Sequence, residues 1–181
     1  TLKKSIGYLP SELNLYEDLT VKQMIDFHES FYKENLSKKR KQLVKRFNLD
    51  ENKVISTLSI GNLKKLGIIL AFVHNPELVI LDEPTTGLDI MMQKVFFELL
   101  QEEKQKGTTI FYSTHNLNEI TKVCDKVAII KEGKLLSTET VDDIIKKSIH
   151  YVTITSEDVL KIEKDIKENI IYKDENTLKF K

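Results

Sequence analysis

Three carboxylates close together in the chain have the types and spacing that metal-assisted chemistry requires. The segment at residues 78–89 reads LVILDEPTTGLD: four apolar residues run into Asp82 and Glu83, and a third acid, Asp89, follows a Pro-Thr-Thr-Gly-Leu stretch. Adjacent carboxylates can divide the work. One can hold Mg²⁺ through its water shell, while the next orients or deprotonates a water molecule. The segment therefore favours a site that activates water beside a metal ion.

The element that must position these acids is a short strand. A continuous apolar run bounded by a turn, here Leu78 to Leu81 before Pro84, is typical of a strand buried on both faces. Acids just past such a strand lie where open α/β sheets bind ligands. We therefore expect Asp82 and Glu83 at the carboxyl edge of a parallel sheet.

The segment resembles the Walker B and D-loop region of the ATP-binding cassette (ABC) ATPases, and three further motifs follow that family's order. LSIGN at Leu58 to Asn62 stands where the family has its LSGGQ signature. His115 follows the apolar strand TTIFYS, as the switch histidine does, and IGYLP at Ile6 to Pro10 is similar to the strand that enters the Q-loop. The resemblance covers about residues 4 to 140. The combined order and spacing is far more specific than any one motif.

The resemblance implies ATP and Mg²⁺ as cofactors and gives each motif a role. Asp82 would belong to the metal shell, Glu83 would act on the attacking water and His115 would contact the γ-phosphate. The signature and the D-loop would contact ATP held by a second subunit, through Ser59, Gly61, Asn62 and Asp89. Ser59 is also expected to cap a helix running to about His74, and a helix N-terminus is suited to anions.

Two motifs depart from the family pattern. Ile60 replaces the first glycine of LSGGQ and Asn62 its glutamine, and a β-branched residue does not adopt positive φ readily. In the Q-loop, Ser11 stands where many members have glutamine. Ser11 is too short to reach a metal in the same way, so either Glu12 replaces that contact or the contact is lost.

The sequence contains no P-loop. The motif G-x-x-x-x-G-K-[ST], which cradles phosphates with backbone N–H groups and a lysine, matches none of the six glycines. In the family the P-loop precedes the IGYLP strand. We expect that the chain is a piece of a longer protein, inactive by itself; the alternative is a natural relative without a P-loop.

Composition restricts the classes of partner. The 28 basic and 28 acidic residues cancel, and only two of the basic residues are arginines. This balance argues against a general nucleic-acid surface or an anionic-membrane surface. One cysteine excludes an internal disulfide, and no apolar run approaches the roughly 18 residues that span a bilayer. Contact with a membrane is therefore expected to go through a partner, which places the chain in the cytoplasm at the inner face of the cell membrane. The lysine, isoleucine and asparagine content suggests a bacterial source.

The order of elements predicts an α/β fold with a parallel sheet and helices on both faces. Residues 1–148 are expected to form a partial P-loop ATPase core, with a strand at Lys4 to Leu9 and a helical subdomain inserted at about 14–57. In that subdomain we expect Thr20, with Gln23, and Ser37 to cap helices. Residues 149–181 are expected to form an incomplete C-terminal α+β accessory region, with strands at HYVTIT and TLKF and a helix over Ser156 to Glu168.

The resemblance predicts a nucleotide-binding subunit of an ABC transporter, which couples ATP binding and hydrolysis to transport, with export favoured. The expected partners are a transmembrane permease and a second ATP-binding subunit, in a homodimer, with no nucleic acid. One alternative is a soluble ABC ATPase that acts on nucleic acid or ribosomes, although the long coiled coils or fused cassettes of that class are not evident. A silent dimerisation module is a third hypothesis, which Glu83 and His115 oppose.

Overall fold

The computed structural model describes residues 2–147, 152–155, 170–173 and 177–180, and confirms the mixed α/β fold. The chain divides into two compact units, Thr1–Cys124 and Asp125–Lys181. Their boundary precedes the predicted domain boundary at residue 148, and that domain assignment stays a prediction. The helix predicted over Ser156 to Glu168 lies outside the described residues.

A three-stranded parallel sheet organises the first unit. The strands β1 (Ile6–Leu9), β2 (Leu78–Asp82) and β3 (Thr109–Ser113) are ordered β1-β2-β3. The strand predicted from Lys4 begins at Ile6, because Leu2–Ser5 form a short 3₁₀ helix. In register, Leu9 lies opposite Leu81, and Asp82 lies opposite Ser113. The carboxyl ends of all three strands therefore meet at one edge, as expected.

The prediction that β2 is buried on both faces is wrong for the described residues. Val79 and Leu81 are fully buried, whereas Leu78 and Ile80 are half-buried. The register places Ile80 between Tyr8 and Phe111, and both aromatic side chains are exposed. The sheet thus buries one face more completely than the other.

Helices α1 (Val21–Glu29) and α2 (Ser37–Phe47) come first in the chain. Three further helices complete the core of the first unit: α3 (Ile60–Phe72), α4 (Ile90–Gln105) and α5 (Leu117–Val123). The helices predicted after Ser59 and over 90–106 are confirmed. Phe72 and Phe96 are buried with Val79 and Leu81 in one apolar cluster. Gly7 lets β1 approach α3, since a Cβ at this position would lie 2.0 Å from the carbonyl oxygen of Ala71.

The helical subdomain contains α1 (Val21–Glu29) and α2 (Ser37–Phe47). The capping box of Thr20 and Gln23 is confirmed, with both reciprocal bonds formed. The prediction that Ser37 caps α2 is wrong, because Ser37 is the first helical residue. The Asn35 side chain accepts hydrogen bonds from both the N–H and the hydroxyl of Ser37, since a short amide can bond to backbone two residues ahead.

The second unit contains a hairpin and a separate antiparallel sheet. Strands β4 (Lys126–Lys131) and β5 (Lys134–Thr140) pair through a turn in which Glu132 and Gly133 both have positive φ, and α6 (Val141–Lys147) follows. Strands β6 (Val152–Thr155), β7 (Ile170–Lys173) and β8 (Thr177–Phe180) are ordered β6-β8-β7. The TLKF strand is confirmed as β8, and the HYVTIT strand is confirmed as β6 over its described residues, Val152–Thr155, whereas β7 was not predicted.

Among the described residues, no helix has the length and apolar character needed to cross a lipid bilayer.

Candidate functional site

Asp82 ends β2, and the neighbouring strand holds its carboxylate. The Ser113 hydroxyl donates a 2.6 Å hydrogen bond to Oδ1, as the register of β2 and β3 allows. That bond is the largest influence lowering the pKa of Asp82. Partial burial opposes it, while the hydroxyl and N–H of Ser11 and the charge of Lys64 reinforce it. Asp82 is therefore an ionised, oriented carboxylate at neutral pH.

The donor set at Asp82 fits Mg²⁺ better than a metal that needs a cage of protein ligands. In the described part of the chain, no three His, Cys, Asp or Glu side chains cluster so as to hold a metal ion. Mg²⁺ usually takes only one or two carboxylates and completes its octahedron with water and phosphate oxygens. A single oriented carboxylate beside the hydroxyls of Ser11 and Ser113 suits that habit.

Glu83 adopts a backbone conformation that is unusual for its residue type. Its φ is +44°, in the left-handed region, which costs an L-residue about 1–2 kcal/mol. Three contacts hold this conformation. Its N–H donates to the Ser113 carbonyl at 3.2 Å, and its carbonyl accepts from the Thr86 N–H at 3.3 Å and the Lys64 ammonium at 3.5 Å. A strained residue held by its surroundings is a feature of functional sites.

The structure brings Glu83 and His115 into direct contact, although they are far apart in sequence. Glu83 Oε1 accepts hydrogen bonds from the His115 ring Nδ1 at 2.8 Å and from the His115 backbone N–H at 3.1 Å. The bond to Glu83, and then the charge of Glu83, raise the pKa of His115. The imidazole is 85% exposed. When protonated it keeps Nε2–H as a donor for an anionic ligand.

Lys64 is a site residue that the sequence analysis missed. It lies in the second turn of α3, only 4% exposed, and its ammonium donates to the Ser11 carbonyl at 3.0 Å and to the Glu83 carbonyl. The Lys64 side chain thus connects the segment after β1, the segment after β2 and helix α3. Of the two Q-loop candidates, Ser11 lies beside Asp82. The only signal in the sequence was a lysine within the largely apolar helix that follows Ser59.

The LSIGN segment forms the N-terminus of α3, as expected. Ser59 is the N-cap, and its hydroxyl accepts from the Asn62 N–H at 3.3 Å. Ile60 is 73% exposed. A Cβ on Gly61 would lie 2.8 Å from the Gly87 carbonyl oxygen, so the signature rests against the loop that follows Glu83. Asp89 caps α4 by accepting from the Met92 N–H at 2.8 Å, a structural role that the sequence analysis did not assign to it.

Glu119 is a second residue that the sequence analysis missed. It lies on α5 and is 5% exposed. It accepts hydrogen bonds from Thr85, in the segment after β2, and from Tyr112, on β3. Its spacing from Val123, one helical turn away on the buried side of α5, was the available signal. An acid at such a position must be paired, because an unpaired buried carboxylate is costly.

Known proteins resemble the chain in sequence and in fold. A family model described as "AAA domain, putative AbiEii toxin, Type IV TA system" matches residues 5–121. An uncharacterized ABC transporter ATP-binding protein, MJ1023 of Methanocaldococcus jannaschii, is 33% identical over 187 residues, covering 97% of this chain and 70% of that protein.

Two further proteins are also similar to the chain. The ABC transporter ATP-binding protein NatA of Bacillus subtilis is 32% identical over 141 residues, covering 75% of this chain and 57% of that protein. A solved structure of an ATP-binding subunit of an ABC transporter superposes with a TM-score of 0.75 at 29% identity, covering 80% of this chain and 62% of that one. The chain thus spans less than two thirds of both.

Proposed function

The chain belongs to the ABC transporter ATP-binding proteins, and on that premise we propose that it is part of a subunit that hydrolyses ATP to drive transport, in the export direction. The observation that carries the proposal is the contact between Glu83 and His115, beside the oriented carboxylate of Asp82. Family membership supports nucleotide binding, and this geometry provides residues for the hydrolysis of a bound nucleotide.

Each carboxylate takes a different part of the chemistry. Asp82 would hold Mg²⁺, which when bound neutralises phosphate charge. Glu83, with one oxygen on His115, uses its carboxylate to orient the attacking water and to take its proton. His115 donates through Nε2 to the γ-phosphate. Phosphoryl transfer needs positioning and charge stabilisation more than covalent chemistry, so three well-held side chains are sufficient for this part of the site.

A second copy of the chain would complete the site. We assign Ser59, Gly61, Asn62 and Asp89 to the ATP held by that copy. The support is the position of LSIGN at a helix N-terminus, where backbone N–H groups favour anions. Large apolar side chains are also exposed beside it and beside Asp89, at Ile60, Ile90 and Met91. Exposed apolar groups around an anion site suit burial between two subunits.

The helical subdomain offers a surface for the transmembrane permease. Tyr16, Phe27 and Phe31 are exposed and contact one another edge to face, with ring centroids 5.7 and 5.1 Å apart. Clustered exposed aromatic residues are typical of protein interfaces. A permease bound there would hold the protein at the inner face of the cell membrane, as a peripheral cytoplasmic subunit of a bacterial exporter.

The 181 residues alone are proposed to bind ATP weakly and not to hydrolyse it, because they contain no P-loop motif to cradle the phosphates. Titration calorimetry of the 181-residue chain with Mg-ATP tests this. Binding weaker than the micromolar range is expected, and micromolar binding would contradict the proposal.

Phosphate release by the full-length gene product tests the proposed activity. His115→Ala should lower turnover by about 10²–10³, the loss typical of removing one charge-stabilising donor. The matched control is Asn118→Ala, an exposed residue three positions along the same segment, which should keep wild-type turnover. No Mg-dependent ATP hydrolysis by the wild type, or unchanged turnover in His115→Ala, would refute the proposal.

A further inference from the structure

The buried carboxylate of Glu119 is fully occupied by hydrogen-bond donors. Oε1 accepts from the Thr85 hydroxyl at 2.8 Å and from the Asn116 amide at 3.1 Å. Oε2 accepts from the Tyr112 hydroxyl at 2.6 Å and from the Thr114 hydroxyl at 2.9 Å. Two oxygens offer about four acceptor positions, so this carboxylate has no capacity left for a substrate or a metal ion.

The four donors come from the two segments that carry Glu83 and His115. Thr85 lies two residues after Glu83, and Thr114 and Asn116 are the immediate neighbours of His115 in sequence. Tyr112 pairs with Leu81 in the sheet, one position before the Asp82 and Ser113 pair. One buried carboxylate therefore fastens both segments from the protein side of the site.

The charge of Glu119 suits this role. Burial would raise the pKa of Glu119, but hydrogen bonds from Tyr112, Thr85, Thr114 and Asn116 outweigh burial and lower it. Burial, then the bond to Glu119, raises the pKa of Tyr112. Tyr112 therefore stays a neutral donor and Glu119 an ionised acceptor across the physiological range, and the network keeps one pattern of donors and acceptors.

We propose that Glu119 is a positioning residue for ATP hydrolysis, which fixes the distance between Glu83 and His115 through Thr85, Thr114 and Asn116. The proposal rests on the proposed function and adds a residue that touches neither nucleotide nor metal. The Thr86 N–H is one of the three contacts that hold the strained Glu83 backbone, and Thr86 follows Thr85, which is bonded to Glu119, directly in the chain. His115 has an exposed ring, so its own packing cannot locate it.

Kinetics of the full-length gene product separate positioning from simple structural support. Glu119→Ala should lower kcat about 10²-fold, the effect of misplacing a reacting group by about 1 Å, while KM for ATP changes less than about threefold. Glu119→Gln should keep kcat within about tenfold of the wild type, because the hydroxyls of Tyr112 and Thr114 can accept from the new amide as well as donate.

A matched control is available in the same compact unit. Glu103 is also a buried glutamate, on α4, and it pairs with Lys39 and Lys106 instead of with site residues. Glu103→Gln should lower the melting temperature without changing kcat per folded molecule. If Glu119→Ala does not fold, Thr85→Val replaces it. This substitution keeps the side-chain shape, removes one donor and should lower kcat about tenfold at unchanged KM.

A second readout needs no hydrolysis. In nitrogen-15 spectra of histidine-labelled protein, His115 should show a hydrogen-bonded Nδ1–H, which is lost in Glu119→Ala or Thr85→Val and kept in Glu103→Gln. A wild type that does not hydrolyse ATP would refute the proposed function but leave this spectral result standing. A wild-type Nδ1–H signal in folded Glu119→Ala, or kcat falling only with the folded fraction, would overturn the positioning role.

Discussion

Ser113 orients Asp82, the carboxylate that we propose for Mg²⁺, with one hydroxyl. Its 2.6 Å bond orients Asp82 and lowers the pKa of that carboxyl more than any other neighbour does. A side chain that orients a metal ligand typically contributes 10- to 100-fold to metal affinity. The proposed metal function therefore makes a specific demand on Ser113.

We predict that Ser113→Ala raises the Mg²⁺ concentration for half-maximal ATPase activity by about 10-fold. Ser113→Thr, which keeps a hydroxyl and suits a strand, should restore the wild-type value. Mg²⁺ titrations of phosphate release by the full-length gene product measure the change. Equal Mg²⁺ requirements for the alanine and threonine variants would contradict this account of Asp82.

Single residues also show what the sequence could predict. Asp82 and Glu83 were predicted from their types and spacing and His115 from the family resemblance, and the structure brings Glu83 and His115 together. Lys64 was missed because its partners are distant in sequence, 53 residues away for Ser11, and Glu119 was missed because the bond that joins it to the Glu83 segment goes to Thr85, 34 residues away. Spacing along one segment carries no record of such contacts.

At the scale of elements, two histidines connect α1 with the end of α3. His74 Nε2 faces the Ile6 carbonyl at 3.2 Å and must donate to it, so its Nδ1 accepts from His28 Nε2 at 3.5 Å. Tyr32 stacks on the His74 ring. Burial, then the charge of His74, lowers the pKa of His28 to about 4, and burial lowers the pKa of His74 as well.

This pair predicts a loss of stability in mild acid. The unfolded chain binds a proton at His28 near pH 6.5, whereas the folded chain does so only near pH 4, so the free energy of unfolding falls as pH decreases between these values. The slope from one such group is at most about 1.4 kcal/mol per pH unit.

We predict that His28→Gln makes the free energy of unfolding less dependent on pH between 6.5 and 4 than it is in the wild type. Urea unfolding of both proteins at a series of pH values measures the slopes. His115→Gln is the control and should keep the wild-type slope in this range, because that imidazole is exposed and its pKa is raised, not lowered. Identical slopes for His28→Gln and the wild type would show that His28 is not buried as a neutral ring.

Elements were predicted well where the deciding contacts are local. The capping box at Thr20 and the cap at Ser59 depend on residues within one helical turn, and both are confirmed. The cap predicted at Ser37 was wrong because the helix already begins at Ser37, whose N–H bonds to the Asn35 side chain. The two-sided burial expected for β2 failed because burial depends on elements remote in sequence, which an apolar run does not reveal.

In the whole molecule, the proposed nucleotide site needs residues from two chains. LSIGN rests against the Gly87 loop of its own chain but is proposed to contact the ATP of another. The two halves of each nucleotide site then belong to different subunits, and lesions in these halves can be placed in one chain or in opposite chains.

We predict that Ser59→Arg damages the nucleotide site of the partner chain, because the longer side chain fills the anion site at the N-terminus of α3. Heterodimers of the full-length gene product would combine it with Asp82→Ala, a lesion in the other half of the proposed site. With both lesions in one chain, both sites should fail. With the lesions in opposite chains, one intact site should occlude ATP. Occlusion only in the one-chain arrangement would show that Ser59 acts within its own subunit.

If Glu83 is the base for ATP hydrolysis, Glu83→Gln should separate turnover from ATP binding when both are measured on one sample of the full-length gene product. The amide keeps the shape of the side chain but cannot take a proton from water. Turnover should fall by about 10²–10⁴ while ATP affinity stays unchanged. Glu77→Gln, an exposed site just before the other end of β2, should match the wild type in both. Near-normal turnover in Glu83→Gln would show that Glu83 is not the base.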